Sequence, residues 1–169
     1  MPRCLFLIGF MASGKSSLGK KIAKQFSLDF IDLDEYIEQE EGRSITQIFE
    51  EEGESSFREK EAHYLRGLSL DNKLVATGGG TPIFNNNMLF MKEQGAVAYL
   101  VVPSDIIIGR LRQNPGERPL VKNLSDEALV EFVEKTLEER KSIYADADIL
   151  IPHTKSWSLL KLELSFLLE

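Results

Sequence analysis

Short, continuous apolar runs alternate along this chain with longer stretches in which apolar residues recur every three or four positions. Cys4-Leu5-Phe6-Leu7-Ile8 opens the pattern, a run of the kind shown by a strand buried on both faces of a parallel sheet. Leu18, Ile22, Ala23 and Phe26 follow at helical spacing. Continued to the end, the pattern predicts strands over 3–9, 29–32, 73–77, 96–102 and 148–152. It predicts helices over 15–26, 34–41, 44–52, 54–69, 85–94, 104–113, 125–145 and 155–168. Strands alternating with helices imply an α/β protein whose parallel sheet is covered on both faces. Ligands of such sheets sit at the carboxyl ends of the strands. The candidates are therefore residues 9–16 after the first strand, Asp32 and Asp34 after the second, and Gly78-Gly79-Gly80 after the third.

No repeat, low-complexity tract or linker divides the 169 residues, so a single domain over 1–169 is expected. A net charge of −7 argues against a nucleic-acid-binding or membrane-binding surface. The longest apolar run, Ala96 to Val102, is too short to span a bilayer. The only cysteine, Cys4, lies in the first strand, so no internal disulfide can form. With no leader expected ahead of that strand, a reducing cytoplasm is the expected setting. In so acidic a chain, arginines on inward-facing positions call for an anionic ligand.

Residues 9–16, Gly-Phe-Met-Ala-Ser-Gly-Lys-Ser, match G-x-x-x-x-G-K-S/T between a predicted strand and a predicted helix. That context is what a phosphate cradle requires. Backbone N–H groups of Ala12, Ser13, Gly14, Lys15, Ser16 and Ser17 and the positive helix end would bind the phosphates of ATP or GTP. Lys15 would reach the β- and γ-phosphates, and the Ser16 hydroxyl would ligate Mg²⁺.

The acceptor side is read from residues that break the apolar pattern. Asp32 and Asp34 flank Leu33, and two positions apart in an extended segment both carboxylates face one side. One could accept hydrogen bonds from Mg²⁺-bound water while the other holds an acceptor hydroxyl and takes its proton; alternatively Asp34 caps the next helix. Phe57, Glu61, Tyr64, Leu65 and Leu68 share one helical stripe, so Glu61 needs a partner, and Arg58 is three residues away. An arginine held in this way suits bidentate capture of a carboxylate, although a plain structural ion pair has the same spacing. Arg140 is the charged member of a second stripe, Leu129, Val133, Thr136, Arg140 and Tyr144. Its bland alternative is a buried stem with the head in water. The glycine triplet is either a close-approach surface for ligand or a flexible turn before Pro82. Residues 113–123 (QNPGERPLVKN) have loop chemistry and are expected to form a lid that carries Arg118 over the phosphates.

Taken together, these residues resemble those of shikimate kinases, P-loop enzymes related in fold to the nucleoside monophosphate kinases. The shared pieces run in order through nearly the whole chain. They are the phosphate loop, Asp32-Leu33-Asp34, Gly42-Arg43-Ser44-Ile45, Phe57-Arg58-x-x-Glu61, Gly78-Gly79-Gly80, Glu117-Arg118-Pro119-Leu120 and Arg140-x-x-x-Tyr144. The resemblance implies transfer of the γ-phosphoryl of ATP to the 3-hydroxyl of shikimate, in aromatic amino-acid biosynthesis; a monomer is expected. It implies a five-stranded parallel sheet in the order 2-3-1-4-5, with a substrate-binding helical segment over 33–61.

By the same resemblance Asp34 binds the acceptor hydroxyls and acts as base, Arg58 and Arg140 grip the shikimate carboxylate, and Gly79 offers a backbone contact. Arg118 reaches ATP, Asp32 lies near the Mg²⁺ waters, and Arg110 packs against adenine together with a loop near His153-Thr154-Lys155. Two positions depart from the family, which usually has Gly at Ala12 and often Thr at Ser17. A negative φ at Ala12 would make the first departure harmless.

Rival acceptors are gluconate and nucleoside monophosphates. The latter suit the arginines but leave Asp34 beside an anion. A nucleotide-driven switch is a third reading, against which Asn72-Lys73 is followed by Leu74-Val75 instead of completing a guanine-specific Asn-Lys-x-Asp.

Overall fold

The computed structural model describes residues 4–114 and 118–168. Five parallel strands form one sheet: β1 (Cys4–Ile8), β2 (Asp29–Asp32), β3 (Lys73–Ala76), β4 (Ala96–Val101) and β5 (Ile149–Pro152). Their order is β2-β3-β1-β4-β5. β1 is central and wholly buried, which is why it reads as an unbroken apolar run. Leu5 pairs with Leu74 on one side and Ala96 on the other. The core, from Leu5, Leu7 and Ile22 to Val133 and Leu164, fills both faces of the sheet.

The helices are α1 (Lys15–Phe26), α2 (Leu33–Glu41), α3 (Ile45–Gly67), α4 (Asn87–Gln94), α5 (Ser104–Gln113), α6 (Asp126–Tyr144) and α7 (Trp157–Leu168). Among the described residues, no helix is long and apolar enough to cross a membrane. Residue 3 of the predicted first strand and residues 115–117 of the predicted lid lie outside the described residues.

Two details of the sequence pattern acquire physical causes. Gly42 closes α2 with φ 67, and Ser44 opens α3 with a reciprocal capping box to Gln47. The helices predicted over 44–52 and 54–69 form one run bent at Gly53, whose φ of 82 and ψ of 172 only glycine adopts readily. α4 starts later than predicted. Thr81–Ile83 form a 3-10 turn, and Asn85 and Asn86 take φ values of 53 and 55, which postpone the helix to Asn87.

Candidate active site

A cavity of about 630 Å³ opens at the carboxyl ends of β1, β2 and β3. Its floor is the phosphate loop, and the loop's lysine is held beneath it. Lys15 Nζ donates to the carbonyls of Gly9 and Phe10 at 2.9 and 2.7 Å and to Ser13 Oγ at 3.3 Å. Burial lowers its pKa to about 8, with Asp34 opposing the shift. Ser16 Oγ donates to Asp32 Oδ2 at 2.5 Å. This hydroxyl and carboxylate are hard oxygen donors side by side, a set that fits Mg²⁺, which takes most of its ligands from phosphates and water. Among the described residues there is no cluster of three or more side chains that could cage a metal unaided.

The two aspartates reach the cavity by a different geometry from the extended pair that their spacing suggests. β2 ends at Asp32, and Asp34 already lies in the first turn of α2. Asp32 is the helix cap: its Oδ1 accepts from the backbone N–H of Asp34 and Glu35 at 3.1 and 3.4 Å. The capping role considered for Asp34 therefore belongs to Asp32, and the Asp34 carboxylate is free of it. Arg118 Nη1 lies 3.8 Å from Asp34 Oδ2. The Asp34 pKa is pushed up to about 6, by burial first and then by the charges of Glu61 and Asp32.

On the opposite wall, α3 and α6 contribute the arginines. Arg58 Nη1 donates to Glu61 Oε2 at 3.0 Å, and its Nε and Nη2 reach Glu54 Oε1 at 3.3 and 3.1 Å. The guanidinium lies 4.6 Å from the centre of the Phe84 ring. Arg140 is nearly buried, yet among the described residues it donates only to Tyr144 OH, at 3.5 Å. No buried side-chain nitrogen or oxygen of the described residues lacks a partner. The remaining Arg140 donors therefore open into the cavity that this residue lines. Such a guanidinium, largely removed from water and with donors to spare, is a binding group for an anion.

The glycine triplet is packed. A Cβ on Gly79 would lie 2.9 Å from Met11 N, and one on Gly80 would lie 2.5 Å from Arg58 Nη2. A Cβ on Gly78 would meet Glu61 Oε1 at 2.9 Å and Asp34 Oδ1 at 3.0 Å. The close approach is thus to the protein's own phosphate loop, carboxylates and Arg58 guanidinium. Tyr144 OH donates to Gly79 O at 2.6 Å, tying α6 to the triplet. Tyr144 stood out in the sequence as part of the Arg140 stripe, but its bond to Gly79 spans 65 residues and left no local signal.

Comparison with known proteins gives the family. The family model described as shikimate kinase matches residues 11–161. The shikimate kinase of Phocaeicola vulgatus is 42% identical over 144 residues, which cover 85% of this chain and 82% of that one. The chain belongs to the shikimate kinase family. The crystal structure of the Bacteroides thetaiotaomicron shikimate kinase superposes with a TM-score of 0.85 at 34% identity, covering 96% of this chain and 97% of that one. The structure of the Acinetobacter baumannii shikimate kinase in complex with shikimate also gives a TM-score of 0.85, at 31% identity and 98% and 94% coverage.

Within a shikimate kinase framework the departures at the nucleotide side become concrete. Ala12, expected to keep a negative φ, has φ 57. The left-handed region costs an alanine roughly 1–2 kcal/mol, part of which glycine would return as chain entropy. Ala12→Gly should therefore stabilise the protein by about 0.5–1 kcal/mol, a Tm gain of roughly 1–4 °C. A lower Tm in a thermal melt would show that this φ carries no strain. Arg110 Nη1 donates to the carbonyls of Ala12 and Ser13 at 2.9 and 2.8 Å, bracing the strained loop from α5. His153 N donates to Val101 O at 2.9 Å beyond β5, and neither His153 nor Lys155 is among the residues that line the cavity.

Proposed function

We propose that this shikimate kinase family member phosphorylates the 3-hydroxyl of shikimate from ATP, giving shikimate 3-phosphate and ADP. The observation that carries the reading is the pairing of two surfaces across one cavity: a phosphate loop with Lys15, and the Arg58–Arg140 wall with Asp34 between them. An acceptor with one carboxylate and several hydroxyls matches both the arginines and the aspartate. A nucleoside monophosphate would bring its charge against Asp34 and Glu61.

In this reading, Arg58 and Arg140 bind the acceptor carboxylate, with the Gly79 backbone beside the ring. Asp34 receives the proton of the attacking hydroxyl. Lys15 and Arg118 neutralise the negative charge that moves with the transferring group, which passes through a loose, in-line transition state. Ser16 and Asp32 would hold Mg²⁺, which would supply positive charge to offset that of the phosphates. Backbone N–H groups of Ala12, Ser13, Gly14 and Ser17 hold the phosphates, and Arg110 keeps the loop in place. Residues 33–61 form the acceptor-binding segment and 113–123 the lid, within one domain over 1–169.

The test is ADP release from Mg²⁺-ATP with shikimate, gluconate, AMP or no acceptor. Release that depends on shikimate alone is expected. Release that is indifferent to any acceptor would make the protein an ATPase or switch and remove the roles given to Asp34, Arg58 and Arg140.

A further inference from the structure

Glu61 is fully buried and uses both carboxylate oxygens. Oε2 takes the Arg58 bond at 3.0 Å, and Oε1 accepts from Thr81 Oγ1 at 2.6 Å. Thr81 lies directly after the glycine triplet and is itself fully buried. Its carbonyl accepts from Asn87 Nδ2 at 2.9 Å, and Oδ1 of the fully buried Asn87 accepts from Arg66 Nη1 at 2.5 Å. Arg66 Nη2 donates to Asn85 O at 2.8 Å, and Asn85 Nδ2 donates to Arg58 O at 2.9 Å. The path therefore leaves the guanidinium of Arg58 and comes back to its backbone. It alternates between α3 and the segment joining the triplet to α4, and neither arm can shift without breaking bonds in the other.

We propose that Thr81 is a positioning residue for acceptor capture, its hydroxyl holding the second oxygen of Glu61 so that the carboxylate orients Arg58. This rests on the reading that Arg58 binds the acceptor carboxylate. The chemistry is specific. A buried carboxylate deprived of a donor keeps its charge at a large cost, so it takes a proton or turns away. Either change releases the guanidinium, while the phosphate loop, to which Thr81 makes no hydrogen bond among the described residues, is unaffected. Burial already pushes the Glu61 pKa up, against the opposing pull of Arg58 and the Thr81 hydroxyl. Asn87 and Arg66 anchor Thr81 from the far side.

Thr81→Val keeps the shape and removes the donor; Thr81→Ser keeps the donor. Loss of a hydrogen bond to a charged group corresponds to about a tenfold rise in the KM for shikimate in Thr81→Val, with the KM for ATP unchanged. Thr81→Ser should restore wild-type values. The acid limb of 1/KM for shikimate should also move to higher pH in the valine variant, because Glu61 then protonates more easily; a purely structural loss would not move it. If Thr81→Val does not fold, Thr81→Cys, a weak donor of similar shape, carries the same comparison with serine. Equal KM values for the valine and serine variants would overturn the proposal. Arg58→Gln separates the two layers. A raised KM in Arg58→Gln with no change in Thr81→Val defeats only the role of Thr81, whereas an unchanged KM in Arg58→Gln defeats the carboxylate clamp itself.

Discussion

Replacing Asp34 by Asn should lower kcat by about 10²–10⁴, the range over which a positioned base contributes, and should leave the fold intact. The amide is nearly the same size, and the capping bonds at the start of α2 belong to Asp32. The pH dependence follows from the same group. A base must be ionised to receive the hydroxyl proton, so wild-type kcat/KM, which reports ionisation in the free enzyme, should fall as pH drops through about 6. That limb should vanish in the variant. The effect on stability has the opposite sign. Because the folded pKa is raised, the fold disfavours the ionised form, and Asp34 costs stability above about pH 6, a cost that fades as pH falls. Asparagine removes that cost, so Tm at pH 7 should hold or rise. A large drop in Tm would mean that Asp34 supports the helix after all. Full kcat in the variant would show that the acceptor hydroxyl needs no base.

Arg58→Ala and Arg140→Ala should both raise the KM for shikimate on the order of 10²-fold, the worth of a charge-assisted, bidentate contact, and leave the KM for ATP unchanged. Their stabilities should differ. Among the described residues Arg140 hydrogen-bonds only to Tyr144, at 3.5 Å, and ion-pairs with no carboxylate, so its loss strands none. Removing Arg58 leaves Glu61 buried without its cation. Breaking a buried pair from one side costs about 3–5 kcal/mol, a Tm loss of roughly 6–20 °C for a domain of this size. The deficit should shrink as pH falls, because Glu61 can then take up a proton, and adding Glu61→Gln should recover much of it. Steady-state kinetics and thermal melts on the two variants and the Arg58→Ala/Glu61→Gln pair check both parts. Loss of ATP binding in either single variant would overturn the clamp assignment.

The sequence by itself was enough for whatever depends on residues close together along the chain. The phosphate loop is contiguous, and its place between an apolar run and a helical stripe made the class of ligand legible. Arg58 and Glu61 are three residues apart, so helix geometry alone brings them into contact, as observed at 3.0 Å. Arg140 was legible as a charge on an apolar face, and all five members of that stripe are buried. Strand and helix positions followed from periodicity to within a few residues, the paired left-handed asparagines accounting for the late start of α4.

Other features needed the folded chain. The choice between Asp32 and Asp34 as cap turns on a shift of two residues in where α2 begins, which composition does not encode. The positive φ of Ala12 is imposed by the loop around it. The packing of the glycine triplet against Arg58, Glu61 and Met11 joins segments far apart in the chain, as do the bonds from Thr81 to Glu61 and from Tyr144 to Gly79. Local periodicity records only which face of an element is apolar. The partner that a buried polar group meets is decided by how the elements dock, since its desolvation must be offset by whichever donor or acceptor the fold brings there.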